Sequence, residues 1–307
     1  MAPLLGKLRS MFTDRPRPDA VFGLSAQALS GILAGSKGRA ARKRFVLPLD
    51  AGSLTPSFDK PNGIEVFSLA ARVEEGKEIL GLAGGTVAVL IPEICVRVFV
   101  LAAESLPGSD AEREAFLRWR VAKQMPIMPD DLRLACDLSF VPGPRKILVA
   151  AAREAVVREY EALFSSAGLK PGCVTIPTLS LANLVDRAAA DGLLLSAGTD
   201  HLGLLAAMDA EWTLYRLKGL DPAASSRDRI GLVVQEAENT VHFLEDREQR
   251  KISRLWVHSA DGEETADLAA RLESVLSLPA ERLEYGAPRE WASAEKGALA
   301  PLVGQLA

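Results

Sequence analysis

Residues Leu193–Arg216 read LLLSAGTDHLGLLAAMDAEWTLYR. The apolar run Leu193–Leu195 predicts a buried strand, and Leu202–Ala207 and Trp212–Arg216 predict two more. Between the first two, Ser196–Asp200 are small or polar, as a tight turn requires, and such a turn can aim backbone N–H groups at an anion. Far upstream, Val21–Leu33 reads VFGLSAQALSGIL, again a short strand, a turn of Ser, Ala and Gln, and an apolar return. Two such units, each opening a stretch of mixed strand and helix signals, predict an internally duplicated α/β fold with a cleft between its halves.

Bulk properties frame that reading. The chain has 307 residues, room for two domains of ordinary size. With 48% apolar and 25% charged residues it is typical of a soluble globular protein, and a net charge of −4 gives no sign of a general nucleic-acid binder. No apolar run is long enough to span a bilayer, and Met1–Phe12 lacks the pattern of a secretory signal. Cys95, Cys136 and Cys173 form no disulfide framework or metal spacing and read as small buried side chains in a reducing compartment. His201, His242 and His258 are too dispersed for a metal site.

Outward from the two units, the chain reads as follows. Met1–Phe12 is a small amphipathic helix with Lys7 and Arg9 on its edge. It either docks a few apolar side chains on the body or lies on an anionic membrane surface. Thr13–Asp19 is a linker, Gly35–Arg44 a basic turn and Phe45–Leu49 a strand. Ile64–Leu82 mixes strand and helix signals and its type stays open. Thr86–Ile91 is a buried central strand, followed by Val96–Leu101. Ser109 with Glu112 makes a capping box for a helix that Pro126 stops. Phe116, Trp119, Ala122 and Met125 form an apolar stripe on it, ordinarily a packing face. Leu134–Phe140 and Lys146–Ala152 read as strands around the turn Val141–Arg145. Arg153–Ala167 is a helix capped by Gly168, with Val156, Val157, Tyr160, Leu163 and Phe164 inward. Val174–Ile176 reads as a strand and Leu179–Ala190 as a helix. In the second half, Asp228–Asp246 reads as a long helix and Arg254–His258 as a buried strand. Glu264–Leu276 is a helix with Leu268, Leu272 and Val275 inward, and Arg282–Tyr285 a last edge strand. The Ala/Pro-rich tail from Gly286 reads as poorly ordered.

Three passages carry a family resemblance: VLIPEICVRVFVL (Val89–Leu101), FLRWRVAKQMPIMPDDLRLACDLSF (Phe116–Phe140) and ILVAAAREAVVREYEALFSSAGLKPGCVTIPTLSLANL (Ile147–Leu184). In register over roughly Ala20–Tyr285, they resemble the PilM family of type IV pilus assembly proteins. That family is actin-like and related to the cytoplasmic domain of GspL of type II secretion. The resemblance implies an actin-like two-lobed fold: duplicated RNase H-like sheets flanked by helices, with a small subdomain inserted in the first lobe. The expected division is an N-terminal segment and linker (1–19), a first lobe (20–190, insertion about 102–152), a second lobe (191–286) and a tail (287–307).

In such folds nucleotide sits between the lobes, and the family's first phosphate loop resembles Asp-x-Gly-x-x-x-x-Lys. The Asp holds the metal's water shell, the Gly lets backbone reach phosphate, and the cation offsets charge. Here Gly23, Ser25 and Ser30 stand at those positions. Of the second loop, Asp-x-Gly-x-x-Thr, Gly198 remains, with Ser196 in the acidic position and Thr199 and Asp200 following. His258–Gly262 replaces the adenosine-side Gly-Gly, and no catalytic carboxylate or metal site stands out. Ser25, Gln27, Ser30, Ser196, Gly198, Thr199 and Asp200 therefore read as turn residues lining a remnant nucleotide cleft, and the chain as a non-enzyme needing no cofactor. Weak ATP binding stays open. The resemblance implies a cytoplasmic scaffold, peripheral to the inner membrane, that binds the N-terminal tail of a PilN-like bitopic protein and contacts other pilus platform or motor components. The tail would lie between the inserted subdomain and the first sheet, with Leu138, Phe140, Ala150 and Arg153 as contact residues. A functional actin-like ATPase and a GspL-like secretion component are the alternatives. The latter would be expected to continue into a membrane span, which is missing before Ala307.

Overall fold

A computed structural model of the chain describes residues 17–35, 43–63, 66–125, 129–136, 145–288 and 290–307. The readings made for Met1–Phe12, for most of the linker after it and of the basic turn, for the stop at Pro126 and for the segment 137–144 lie outside them.

Two five-stranded sheets repeat one topology. The first runs β3 (Arg44–Pro48), β2 (Ala28–Leu33), β1 (Ala20–Leu24), β4 (Gly85–Leu90), β8 (Leu169–Thr175). The second runs β11 (Glu211–Gly219), β10 (His201–Met208), β9 (Gly192–Ala197), β12 (Arg254–Ser259), β13 (Ala280–Arg282). In each, an antiparallel three-strand meander is extended by two parallel strands. A third, antiparallel sheet of β5 (Arg97–Ala103), β7 (Arg145–Arg153) and β6 (Leu132–Cys136) is inserted after β4.

Helices cover the sheets because alternate strand residues present apolar side chains to both faces. On one face of the first sheet, Phe22, Val87 and Val89 pack against α1 (Val66–Leu80), through Leu69 and Val73, and against α3 (Glu154–Ser166), through Val156, Tyr160 and Phe164. Helix α2 (Asp110–Ala122) covers the inserted sheet. The short α4 (Pro177–Leu181) leads toward the second sheet, which packs on α5 (Ser226–Glu248) and α6 (Glu264–Leu276). On the other face of the first sheet, Val21, Ile32, Ala88 and Leu90 meet Leu299 and Leu302 of α7 (Ser293–Gly304).

That last helix corrects the expectation of a poorly ordered tail. It is rich in small residues because it lies directly on backbone: a Cβ on Gly297 would stand 2.2 Å from the Ala260 carbonyl oxygen, and one on Gly304 2.3 Å from that of Ser180. Pro301, inside the helix, has no N–H to give the carbonyl of Gly297. His258, at the end of β12, approaches that carbonyl at 2.9 Å through Nε2 and takes the missing place.

Other expectations shift. The open segment Ile64–Leu82 contains α1. Leu179–Ala190 is not one helix: α4 ends at Leu181, a 3-10 turn follows over Ala182–Leu184, and the Asp186 carboxylate then accepts from Ala188 N in a turn. The strand expected at Val174–Ile176 starts at Leu169 and takes in Pro171, which a register shift beside Val87 and Ala88 accommodates. Val275 is 46% exposed rather than inward. On α2 Ser109 caps the helix as read, accepting from Glu112 N, while the Glu112 carboxylate accepts from the Ser109 hydroxyl rather than from its backbone N–H. The fully buried residues are Leu117 and Val121; Phe116 and Met125 of the expected packing stripe are half-buried against the same core, and Trp119 is 53% exposed.

Candidate functional site

The two turns that opened the sequence reading meet in the structure. Ser25–Gln27 joins β1 to β2, Gly198–Asp200 joins β9 to β10, and the Thr199 hydroxyl donates to Gln27 Oε1 at 2.6 Å. The Ser25 hydroxyl is spent within its own turn, accepting from Ala28 N at 3.0 Å and Gln27 N at 3.3 Å. Gly198 leaves room for the His201 ring, which lies 2.3 Å from where a Cβ would stand.

Two expected turn residues are elsewhere. Ser30 is a buried β2 residue whose hydroxyl donates to the Gly23 carbonyl, its cross-strand partner, at 3.3 Å. Ser196 lies within β9, 1% exposed and opposite Gly203, because the strand runs on to Ala197. Gly23 itself is covered by α7: a side chain there would meet Leu302 Cδ1 at 2.9 Å.

Beneath the turns lies a buried polar cluster that crosses from the first lobe to the second. Glu93, in the 3-10 turn Glu93–Cys95 after β4, is 0% exposed. Its carboxylate accepts from the Tyr215 hydroxyl of β11 at 2.7 Å and from Thr178 N of α4 at 3.2 Å. His201 Nε2 stands 3.9 Å from Glu93 Oε2, while its Nδ1 pairs with Asp200 Oδ1 at 2.7 Å. Burial pulls the His201 pKa down, but the Asp200 hydrogen bond and the charges of Glu93 and Asp200 outweigh it, leaving the pKa above 6.5. Burial likewise pushes Asp200 up, and the His201 hydrogen bond and charge hold it below the ordinary carboxylate value. Burial, then the Glu93 charge, push the Tyr215 phenol well above its usual range, so it stays a donor. Gly203 makes the cluster fit, since a Cβ there would meet Thr178 Oγ1 at 2.2 Å. Neither Glu93 nor Tyr215 is legible as a site residue in the sequence; the only hint is an acidic residue straight after an apolar strand and Pro92.

Of the residues expected to contact a peptide, Leu138 and Phe140 lie outside the described residues. Ala150 is half-buried in β7, paired with Val98 and Ala135. Arg153 closes the end of β7, donating to Asp131 at 2.9 Å and to the Asp59 carbonyl at 2.8 Å. It thus ties the loop of the first lobe to the inserted sheet. Among the described residues no group of three or more His, Cys, Asp or Glu could hold a metal ion.

No protein-family description and no curated protein sequence matches the chain. Solved structures do. A PilM–PilN type IV pilus biogenesis complex matches with a TM-score of 0.75 over 95% of this chain and 98% of that one, at 18% identity. A Bacteroides thetaiotaomicron protein described as having an actin-like ATPase fold and unknown function matches at 0.51 over 87% and 91%, with 10% identity. The cytoplasmic domain of EpsL, an inner-membrane component of the Vibrio cholerae type II secretion system, overlaps more loosely, at 0.49 over 78% and 81%, with 11% identity. The first two of these matches show that the fold is the actin-like one.

Proposed function

We propose that this chain is a non-hydrolytic scaffold of a type IV pilus assembly complex, which binds the N-terminal tail of a PilN-like inner-membrane protein. The observation that carries the reading is the near-full-length overlap with the PilM–PilN complex. The chemistry of the cleft argues against the rival reading of an ATPase. Phosphoryl transfer needs cations and a metal at the phosphates. The two turns, Ser25–Gln27 and Gly198–Asp200, contain no lysine or arginine. Among the described residues, His201 stands between the carboxylates of Asp200 and Glu93, and the nearby cation Arg97 acts on Tyr215 behind them. The position that would hold a metal-binding Asp is Gly23, closed over by Leu302. These residues do not fit Mg-ATP.

As a scaffold, the chain would stand on the cytoplasmic face of the inner membrane, held by its partner. Among the described residues no helix is long and apolar enough to cross a membrane. The tail would run as an extended peptide between the inserted sheet and the first lobe, where Arg153 bridges the two near Ala150, and Leu138 and Phe140 would complete its contacts. Calorimetric titration tests both halves of the reading. A synthetic PilN tail peptide is expected to bind saturably, and Mg-ATP to give no heat up to millimolar concentration. Micromolar Mg-ATP binding would overturn the degenerate cleft; silence from the peptide, with full-length PilN also failing to co-purify, would overturn the partner.

A further inference from the structure

The helix α2 turns Trp119 outward, at the solvent edge of a stripe whose Phe116 is half-buried against the inserted subdomain's core. Trp119 is 53% exposed, and the other three tryptophans, Trp212, Trp256 and Trp291, are 7%, 6% and 4% exposed. A tryptophan left in water forgoes a large burial energy that the chain collects at its three others. Phe116 lies one turn away, ring centroids 6.4 Å apart. Two cations rest on these rings: Lys123 Nζ lies 3.7 Å from the Trp119 centroid and the Arg120 guanidinium 6.0 Å from that of Phe116. Residues 116, 119, 120 and 123 share one helix face, opposed to the buried Leu117 and Val121. Elsewhere on the same helix Arg113 and Arg118 are paired with Asp110 and Glu114. Arg120 donates only to the Ala102 carbonyl, and neither it nor Lys123 has a carboxylate partner among the described residues. Beside them a groove between α2 and the end of β5 is lined by Ala102, Ala103, Phe116, Arg120 and Arg145, with Glu104 and Ser105 at its edge.

We propose that this face is a docking site for an acidic peptide segment of a second partner protein, distinct from the tail site at Arg153. Charge complementarity selects the occupant. The chain carries a net charge of −4, yet this stripe presents two cations that no carboxylate among the described residues neutralises, each resting on a ring beneath it. Aromatic and arginine anchors beside a groove are the residues that carry binding energy at protein interfaces. Around the stripe stand the exposed carboxylates of Glu104, Asp110, Glu112 and Glu114. That acidic rim repels a broad anionic membrane but admits one narrow peptide that lays carboxylates on Arg120 and Lys123 and an apolar side chain on Trp119.

The experiment uses Trp119 as its own reporter, since acrylamide quenches exposed tryptophan selectively. The full chain is titrated with a short amphipathic peptide of glutamate and leucine, with its lysine-for-glutamate counterpart, and with phosphatidylglycerol vesicles. The acidic peptide is expected to protect Trp119 saturably. Added salt should weaken it, and R120E/K123E should bind it about tenfold or more weakly, read by anisotropy of labelled peptide, with unchanged circular dichroism. W119A should lose affinity to a similar degree while still binding the PilN tail peptide at Arg153. Equal binding of the lysine peptide, indifference to R120E/K123E, or protection by vesicles and not by peptide would each overturn the proposal.

Discussion

His258→Phe tests the join between α7 and the second lobe. His258 is 6% exposed and approaches the Gly297 carbonyl at 2.9 Å, the carbonyl that Pro301 leaves without a helical donor. Phenylalanine keeps the ring volume and removes the donor. A buried carbonyl then stays unpaired, a cost of about 1–3 kcal/mol. Pro301→Ala restores a backbone N–H at the right place, so H258F should cost much less in that background. The cycle isolates this term, because the effects of removing the proline ring on packing and on the unfolded chain cancel within it. Urea unfolding followed by tryptophan fluorescence and circular dichroism, required to coincide, supplies the four stabilities. A coupling of at least about 1 kcal/mol is expected; additivity within about 0.5 kcal/mol would refute the argument. A pH series adds a second reading. Burial lowers the His258 pKa from 6.5 to about 4. Between those values the unfolded chain holds a proton that the folded one does not. Stability therefore falls as pH drops through this window, by about 3 kcal/mol in all, and H258F should lose that slope.

His201 behaves in the opposite sense. With its folded pKa raised above 6.5, its contribution is complete below about 6.5 and lost as pH rises through the folded value, so H201F should flatten the alkaline limb of the same profile. Asp200, held below its usual value, adds stability above about 3.9 that is lost as pH falls through its folded value; D200N should remove part of the acid limb. Tyr215→Phe leaves a Glu93 oxygen buried without its donor and should cost about 1.5–3 kcal/mol in urea unfolding, whereas indifference would mean the carboxylate is repaired elsewhere. Gly262→Ala places a methyl 1.9 Å from the Ser293 carbonyl oxygen, so proteolysis within 286–307 should accelerate sharply while the second sheet stays folded by circular dichroism.

What was legible in the sequence is what local pattern determines. Leu193–Leu195 and Val87–Leu90 are apolar without interruption because they are central strands packed on both faces, and the Ser109 cap is a chemistry contained in four residues. What was illegible depends on distant partners. The face of α2 that is buried is decided by Leu101, Ile147 and Val149 beneath Leu117 and Val121, not by the spacing of its aromatics. Glu93 becomes part of the site only because Tyr215 arrives from β11 and Thr178 from α4. Helix α7 has the composition of a loop because its glycines are chosen for the backbone they lie against.

The placement of α7 also orders events during synthesis. The strands Ala20–Leu24 and Ala28–Leu33 leave the ribosome early, but the helix that covers Val21 and Ile32 is translated only after the whole second sheet. Until then one apolar face of the first sheet has no cover from its own chain. The first lobe can collapse on α1 and α3 and yet remain adhesive on its far side, the kind of surface that a holdase occupies. Its maturation is thus timed by translation of residues 293–304, and a ribosome stalled between β12 and α7 would present a half-finished lobe.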